Sequence, residues 1–218
     1  MVKKYQQVAV VGAPSRRDVM WIRFAIAVVA ALASLKLLIE AAVIVAGHAL
    51  IVGQGADGGL PLTVLPGVEV AILAPGQQGD LRDADPVLRA FASLPLLIEA
   101  ATIVAGTAML LAVLRQVAAG RSFEQRNLGV FRMMSLTFLW GGIAAGLMSS
   151  ASNVYLVANA GPVDSDTRAE ILGARYSDLV IGLPQWPLPL VIAGLVAIAI
   201  RVALDAGARY AEEADGVI

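Results

Sequence analysis

The chain has 218 residues, of which 58% are hydrophobic and 15% are charged, and its formal net charge at pH 7 is -1. A soluble domain carries about 25% charged residues, so this chain lacks the charge that solvates a protein surface. A net charge near zero argues against direct nucleic acid binding, which needs a basic surface. The chain has no cysteine, which excludes disulfides, thiolate catalysis and cysteine-ligated metals.

Four long apolar stretches predict four transmembrane helices, because about 20 apolar residues are needed to cross the hydrocarbon core of a bilayer. The first stretch is too long for a cleaved signal peptide, whose apolar core has about 7–15 residues. We therefore predict an all-α integral membrane bundle (24–204) between an N-terminal arm (1–23) and a C-terminal tail (205–218). Its predicted spans cover residues 24–52, 91–114, 133–158 and 184–204.

The distribution of Lys and Arg in the short loops indicates the orientation of these spans. The N-terminal arm and the loop between the second and third spans are rich in basic residues. The two opposite loops carry few basic residues, diluted by aspartates and glutamates. We therefore expect both termini in the cytoplasm, with the first and third loops on the outer face.

The two outer loops give different predictions. Residues 53–85 are rich in Gly, Pro and Asp, and prolines bound their short apolar pieces, so we expect a loop with at most a small hairpin, and not a domain. In the second outer loop, residues 167–170 have capping-box spacing, and the apolar residues within 171–183 recur near the helical period. This pattern predicts an amphipathic helix on the outer face that is broken at Pro184.

A segment of 15 residues occurs twice in the chain with only two differences. Residues 33–47 read ASLKLLIEAAVIVAG, and residues 92–106 read ASLPLLIEAATIVAG. Identity this dense indicates recent copying or an artificial sequence. Repeats can mark the two halves of a transporter, but this copy covers one helix and its flanks do not match.

Three ionisable side chains inside the predicted spans are candidates for function: Lys36, Glu40 and Glu99. Such a group costs about 2.5–3.5 kcal/mol at the bilayer centre on insertion scales, so each is expected to face the bundle or a wet cavity. Lys36 and Glu40 are four residues apart and can pair on one helix face. Two interpretations stay open. One is a proton or cation relay through Glu40 and Glu99; the other, which we favour, is a self-neutralising pair with Glu99 hydrogen-bonded to a hydroxyl or the backbone.

No other pattern points to catalysis or to a cofactor. His48 is the one histidine and has no neighbouring carboxylate ligand, so it does not make a metal site. The serines lack both a nucleophile elbow and a histidine partner. We therefore expect no enzyme activity, no metal and no cofactor.

The loop between the second and third spans carries the most specific local pattern. Gly120 can end a helix, and Ser122 and Gln125 have capping-box spacing for the next one. Phe123 can bury apolar area under the bundle, and Asn127 can bond a loop carbonyl. These residues predict a tight helical hairpin or, alternatively, a docking site for a cytoplasmic partner.

Residues 114–132 around this loop resemble the G-x-x-F-x-x-x-N…L-R signature of the DUF2975 family, small bacterial membrane proteins of unknown function. The tail 206–218 is similar to the acidic ending of that family, with Tyr210 where leucine is usual. The resemblance implies a four-helix protein of the bacterial inner membrane. It also implies, by association only, a helix-turn-helix regulator as a partner. It assigns no role to the ionisable residues within the spans.

The leading functional prediction is a non-catalytic inner-membrane protein that acts through protein contacts in a regulatory or signalling setting. Its motif residues are Gly120, Ser122, Phe123 and Asn127. The alternative is a small transporter or proton-coupled pore built on the intramembrane glutamates, as a monomer or a homo-oligomer. In both cases the lipid bilayer is an expected partner, and nucleic acid is not bound directly.

Overall fold

The computed structural model describes residues 16–49, 59–118, 125–160 and 165–215. Within these ranges the α-helices are α1 (Arg16–Ala46), α2 (Pro86–Ala118), α3 (Gln125–Ala160), α4 (Ser165–Leu172) and α5 (Leu188–Asp215). The strands are β1 (Val68–Leu73) and β2 (Tyr176–Ile181), and two short 3-10 helices cover Leu62–Val64 and Leu81–Asp83.

Four of these helices, α1, α2, α3 and α5, are long and apolar enough to cross a membrane. This confirms the predicted number of helices of transmembrane length and composition. Only 17–28% of the residues in their most apolar windows are buried inside the protein. Most residues in these windows are therefore at least partly exposed, as expected for helices whose surroundings are hydrocarbon.

The four long helices pack in chain order. α1 packs against α2, α2 against α3, and α3 against α5, whereas α1 and α5 do not pack extensively on each other over their described lengths. The helices therefore form an open row, which leaves room between α1 and the segment that leads into α5.

Glycines on α3 allow its two neighbours to approach closely. A Cβ at Gly141 would collide with Thr102 of α2, and a Cβ at Gly142 would lie 2.9 Å from Val191 of α5. The indole of Trp186 lies over Gly146 in the same way. Small residues on α3 thus permit the close approach of both neighbours.

The copied segments lie on α1 and α2, which pack against each other. Arg89 near the start of α2 donates a hydrogen bond of 2.9 Å to the Val45 carbonyl near the end of α1, so the two helices run antiparallel. Counting from that bond places Ala41 near Ser93, and Ser34 near Ala100. All four are at most 4% exposed. Each copy thus presents the same small-residue face to the other, which gives the repetition a structural role.

The connections at the end of the row opposite the termini fold together into one unit, which we call the cap (59–85 and 165–187). β1 from the first connection pairs with β2 from the second in an antiparallel sheet, with Val68 opposite Ile181. The small hairpin suggested for residues 53–85 is therefore wrong for β1, whose partner strand lies in the second connection. The cap encloses a core with the adjoining ends of three helices, formed by Ile44, Leu62, Leu65, Val68, Leu81, Ala84, Leu88, Ala92, Leu156 and Leu172.

The predicted amphipathic helix is wrong beyond Leu172. Gly173 takes a φ of +75°, the left-handed conformation that commonly ends a helix. The aromatic and β-branched residues that follow favour a strand, and Tyr176, Leu179 and Ile181 pack against the cap core. The all-α prediction consequently needs one correction, the two-stranded sheet.

The helix ends also differ from the predicted span limits for local reasons. α1 stops at Ala46 because Gly47 has a φ of +72° and its amide donates a 2.9 Å hydrogen bond to the Val43 carbonyl. α5 begins at Leu188, so Pro189 lies in its first turn, where a missing N–H costs little, and Pro187 precedes the helix. α5 then continues to Asp215, through most of the predicted tail.

The turn at Gly173 should be sensitive to a single methyl group. A Cβ there would collide with the backbone of Asp83, whereas Gly76, with a similar φ of +78°, has no atom within 4 Å of its Cβ position. We expect Gly76→Ala to cost about 1 kcal/mol, from conformation alone. Gly173→Ala should cost roughly 1–3 kcal/mol more because of overpacking. Thermal unfolding in detergent, followed by circular dichroism, measures the stability of both variants. Equal losses of stability would contradict the close packing of Gly173 on Asp83.

Candidate functional site

The predicted hairpin motif falls largely outside the described residues. Gly120, Ser122 and Phe123 lie between the end of α2 at Ala118 and the beginning of α3 at Gln125, in a range that the structure does not describe. Asn127 lies in the first turn of α3, without a described side chain. Asn127 is therefore at the end of α3 away from the cap.

The three ionisable residues of the spans come together on α1 and α2. Lys36 Nζ lies 3.5 Å from Glu40 Oε1, in the pair that their spacing predicts, and the two side chains are 74% and 45% exposed. Glu99 on α2 is half-buried and close enough to interact electrostatically with both. One cation and two carboxylates thus share this level of the helix pair. Because the ion pair is exposed within an apolar helix, it needs polar surroundings.

An open cleft of about 390 Å³ lies where α1, the cap and the segment before α5 meet. We call it the cap cleft. Its walls are mainly apolar, and its polar side chains are Glu40, Thr63, Glu69 and Gln185. Its other lining residues are Ile39, Val43, Ile44, Val64, Leu65, Pro66, Gly67, Val68, Leu96, Gly182 and Leu183.

Glu69 lines the cleft from an irregular point in the sheet. Val68 pairs with Ile181 and Val70 with Val180, so β1 carries one more residue than β2 at this point, and that residue is Glu69. A bulge of this kind interrupts the ladder and changes the direction of a side chain. The carboxylate lies against Gly182, where a Cβ would collide with it. The bulge and the glycine together make room for a carboxylate at the cleft.

The wall of the cleft formed by the cap is fixed to α3. Asn153 Nδ2 donates a 2.9 Å hydrogen bond to the Gly182 carbonyl, and the Gly182 amide donates one of 2.9 Å to the Gly67 carbonyl. Gly67 has a φ of +91° and follows Pro66, as in a type II turn. Since Gly67 and Gly182 both line the cleft, the position of α3 determines its shape.

The charges around the cleft are arranged in order along α1. Among the described lining residues the ionisable ones are Glu40 and Glu69. Lys36 lies one turn from Glu40 toward the middle of α1, about 6 Å along the helix axis. Moving from the middle of α1 toward the cap, Lys36 therefore comes first and Glu40 follows, and Glu69 lines the same cleft from the cap.

Sequence analysis missed Glu69 and the cap cleft. An isolated glutamate in a loop of Gly, Pro and Asp has the appearance of a solvated side chain. The available signal was a pair of Pro-Gly dipeptides, at residues 66–67 and 75–76, which enclose an apolar run and predict turns at both ends of a strand. The partner of that strand is not indicated by any local pattern.

His48 has a structural role at the end of α1. Its Nδ1 donates a 3.0 Å hydrogen bond to the Ala46 carbonyl, and its backbone forms an isolated bridge with Gly59. In the part of the chain that the structure describes, no group of three or more His, Asp or Glu side chains is placed to hold a metal ion.

Compared with protein-family models, curated proteins and solved structures, the chain matches none. The chemistry of the cap cleft is therefore the basis on which a function can be assigned.

Tyr176 is a titratable group packed against the cap core. Burial raises the pKa of its hydroxyl above the usual value of 10.0, and the negative charges of Asp80 and Asp83 raise that pKa further. The hydroxyl oxygen makes no hydrogen bond with another described residue. The folded cap therefore favours the neutral, protonated form of the Tyr176 side chain.

Removing the Tyr176 hydroxyl should change how the stability of the protein depends on pH in the alkaline range. Because the pKa of Tyr176 is higher in the folded state, its contribution to stability is complete below pH about 10 and is lost as the pH rises through the folded value. We expect Tyr176→Phe to lose less stability than the natural chain between pH 9 and 11, roughly, and to differ by at most about 1 kcal/mol at pH 7. Melting temperatures across this range measure the difference. Parallel curves for the two proteins would contradict it.

Proposed function

We propose that this chain is a non-catalytic multi-pass membrane protein that acts by binding, and that the cap cleft is its ligand-contacting surface. The observation that supports this most is the convergence of Glu40, which pairs with the exposed Lys36, and the bulged Glu69 on one apolar cleft. A mainly apolar concavity with a few convergent polar groups is the usual form of a small-molecule site.

The position of the cleft favours an amphiphilic ligand. Glu40 lies six residues before the end of α1, or about 9 Å from that end along the helix axis. Exposed apolar side chains, including Val28, Leu32 and Leu35, continue along α1 away from the cap. A ligand with its polar part among the carboxylates can therefore lay its apolar part on α1, where that helix faces lipid.

We further propose the cellular setting that the sequence pattern implies. Membership of the DUF2975 family, the bacterial inner membrane and cytoplasmic termini are supported by residues 114–132 and by the basic residues of the arm and the inner loop. In this setting the cap faces the periplasm, and the motif of Gly120, Ser122, Phe123 and Asn127 contacts a cytoplasmic helix-turn-helix regulator. In this proposal, a ligand bound at the cap end of the helices changes the contact with the regulator at their cytoplasmic end.

Binding in the cleft can be tested with single cysteines, because the natural chain contains none. Thr63 lines the cleft and is exposed, whereas Gln78 is exposed on the cap beyond the other end of β1. We expect an environment-sensitive fluorophore on Thr63→Cys to shift its emission saturably when a total polar lipid extract is added in detergent. The label on Gln78→Cys should not respond. Equal responses, or none at either site, would contradict binding in the cleft.

A second proposal is a small transporter or proton-coupled pore, alone or as a homo-oligomer. The observation that favours it is the proximity of Glu99 to the Lys36–Glu40 pair within the helix row. We expect Glu40→Gln and Glu99→Gln each to abolish pH-dependent flux in proteoliposomes while the protein remains folded. Glu170→Gln on α4 is the control and should transport normally. Flux through the natural chain that is no greater than through empty liposomes would exclude this function.

A further inference from the structure

We propose that the cap cleft selects a phospholipid whose zwitterionic headgroup ends in a primary ammonium, as in phosphatidylethanolamine. This inference rests on the proposed function of the cleft as a site for an amphiphile, and it names the class of that amphiphile. Three observations carry it: the order of groups along α1, the charge of the cleft and the residue types that line it.

The order of groups along α1 matches the order of groups in such a lipid. From the middle of the helix toward the cap, exposed apolar residues such as Leu32 and Leu35 are followed by Lys36 and then by Glu40. A zwitterionic phospholipid has hydrocarbon chains, then a phosphate, then an ammonium. With its chains along α1, the lipid brings its phosphate to Lys36 and its ammonium to Glu40 and Glu69.

Each end of such a headgroup also meets a side chain of opposite charge. In the structure Lys36 is paired with Glu40, and the bulged Glu69 adds a second carboxylate to the cleft. Phosphate binding to Lys36 frees Glu40 to join Glu69 around the ammonium, so that neither end of the headgroup lacks a counter-charge. An anionic headgroup offers no cation to the two carboxylates and is disfavoured by repulsion.

The lining residues favour a primary ammonium over a quaternary one. A primary ammonium donates three hydrogen bonds, and the cleft offers the carboxylates of Glu40 and Glu69 and the amide oxygen of Gln185 as acceptors. Quaternary ammonium groups are typically recognised by aromatic faces, and no aromatic side chain is among the described residues of this cleft. The volume of about 390 Å³ suits a headgroup, with the lipid chains left outside along α1.

The selectivity can be measured with the fluorophore on Thr63→Cys and lipids of defined headgroup, each carrying the same acyl chains in the same detergent. We expect phosphatidylethanolamine to half-saturate the signal at about a fivefold lower mole fraction than phosphatidylglycerol or phosphatidylcholine, the ratio that one partly exposed ion pair supplies. Glu69→Gln should remove most of this preference. Glu69→Lys should turn it toward phosphatidylglycerol.

Glu170→Gln, which removes an exposed carboxylate of the cap away from the cleft, is the matched control and should keep the natural preference. Equal half-saturation by the three lipids, with a normal shift at Thr63→Cys, would overturn the headgroup assignment and leave the proposed function in place. The absence of any response to lipid would overturn both. A preference that survives both changes at Glu69 would show that this carboxylate does not hold the ammonium.

Discussion

The pairing of β1 with β2 is the interaction on which the rest of the structure depends. It joins the connection after α1 to the connection before α5, and so it closes one end of an otherwise open row of helices. A two-stranded sheet is marginal on its own in water. Here the sheet packs on a buried core, since Leu62, Leu81 and Leu172 are at most 1% exposed between the sheet and the helix ends. The cleft exists because this sheet holds one wall in place.

The two parts of the molecule are stabilised in different ways. In the cap, large leucine side chains leave water, which is the usual hydrophobic contribution to folding. Helices that pack in lipid lack that driving force, and close approach through small residues takes its place. Gly142 and Gly194 on facing helices illustrate this, since a Cβ at either would come within 3 Å of the other helix. The cap cleft lies at the boundary between these two modes of packing.

The sequence predicted the features of the structure that depend on a single segment of the chain. Helix length, apolarity and the four-residue spacing of Lys36 and Glu40 are properties of one segment, so they could be read directly. The pairing of Val68 with Ile181 is a property of two segments far apart in the chain. The apolar residues of β2 also satisfied a helical period, and the glycine at 173 was the local sign that the helix ends there. Glu69 can be recognised as a cleft residue only from the bulge and from Gly182 beside it.

The two copies on α1 and α2 have different surroundings. The copies are identical except at two pairs of positions: Lys36 corresponds to Pro95, and Val43 to Thr102. Val43 lines the cleft, whereas Thr102 is buried under Gly141 of α3 and donates a 2.7 Å hydrogen bond to the Ile98 carbonyl within its own helix. The two copies of the segment therefore make different contacts at the positions where they differ: Thr102 packs α2 against α3, whereas Val43 leaves α1 open to a ligand in the cleft.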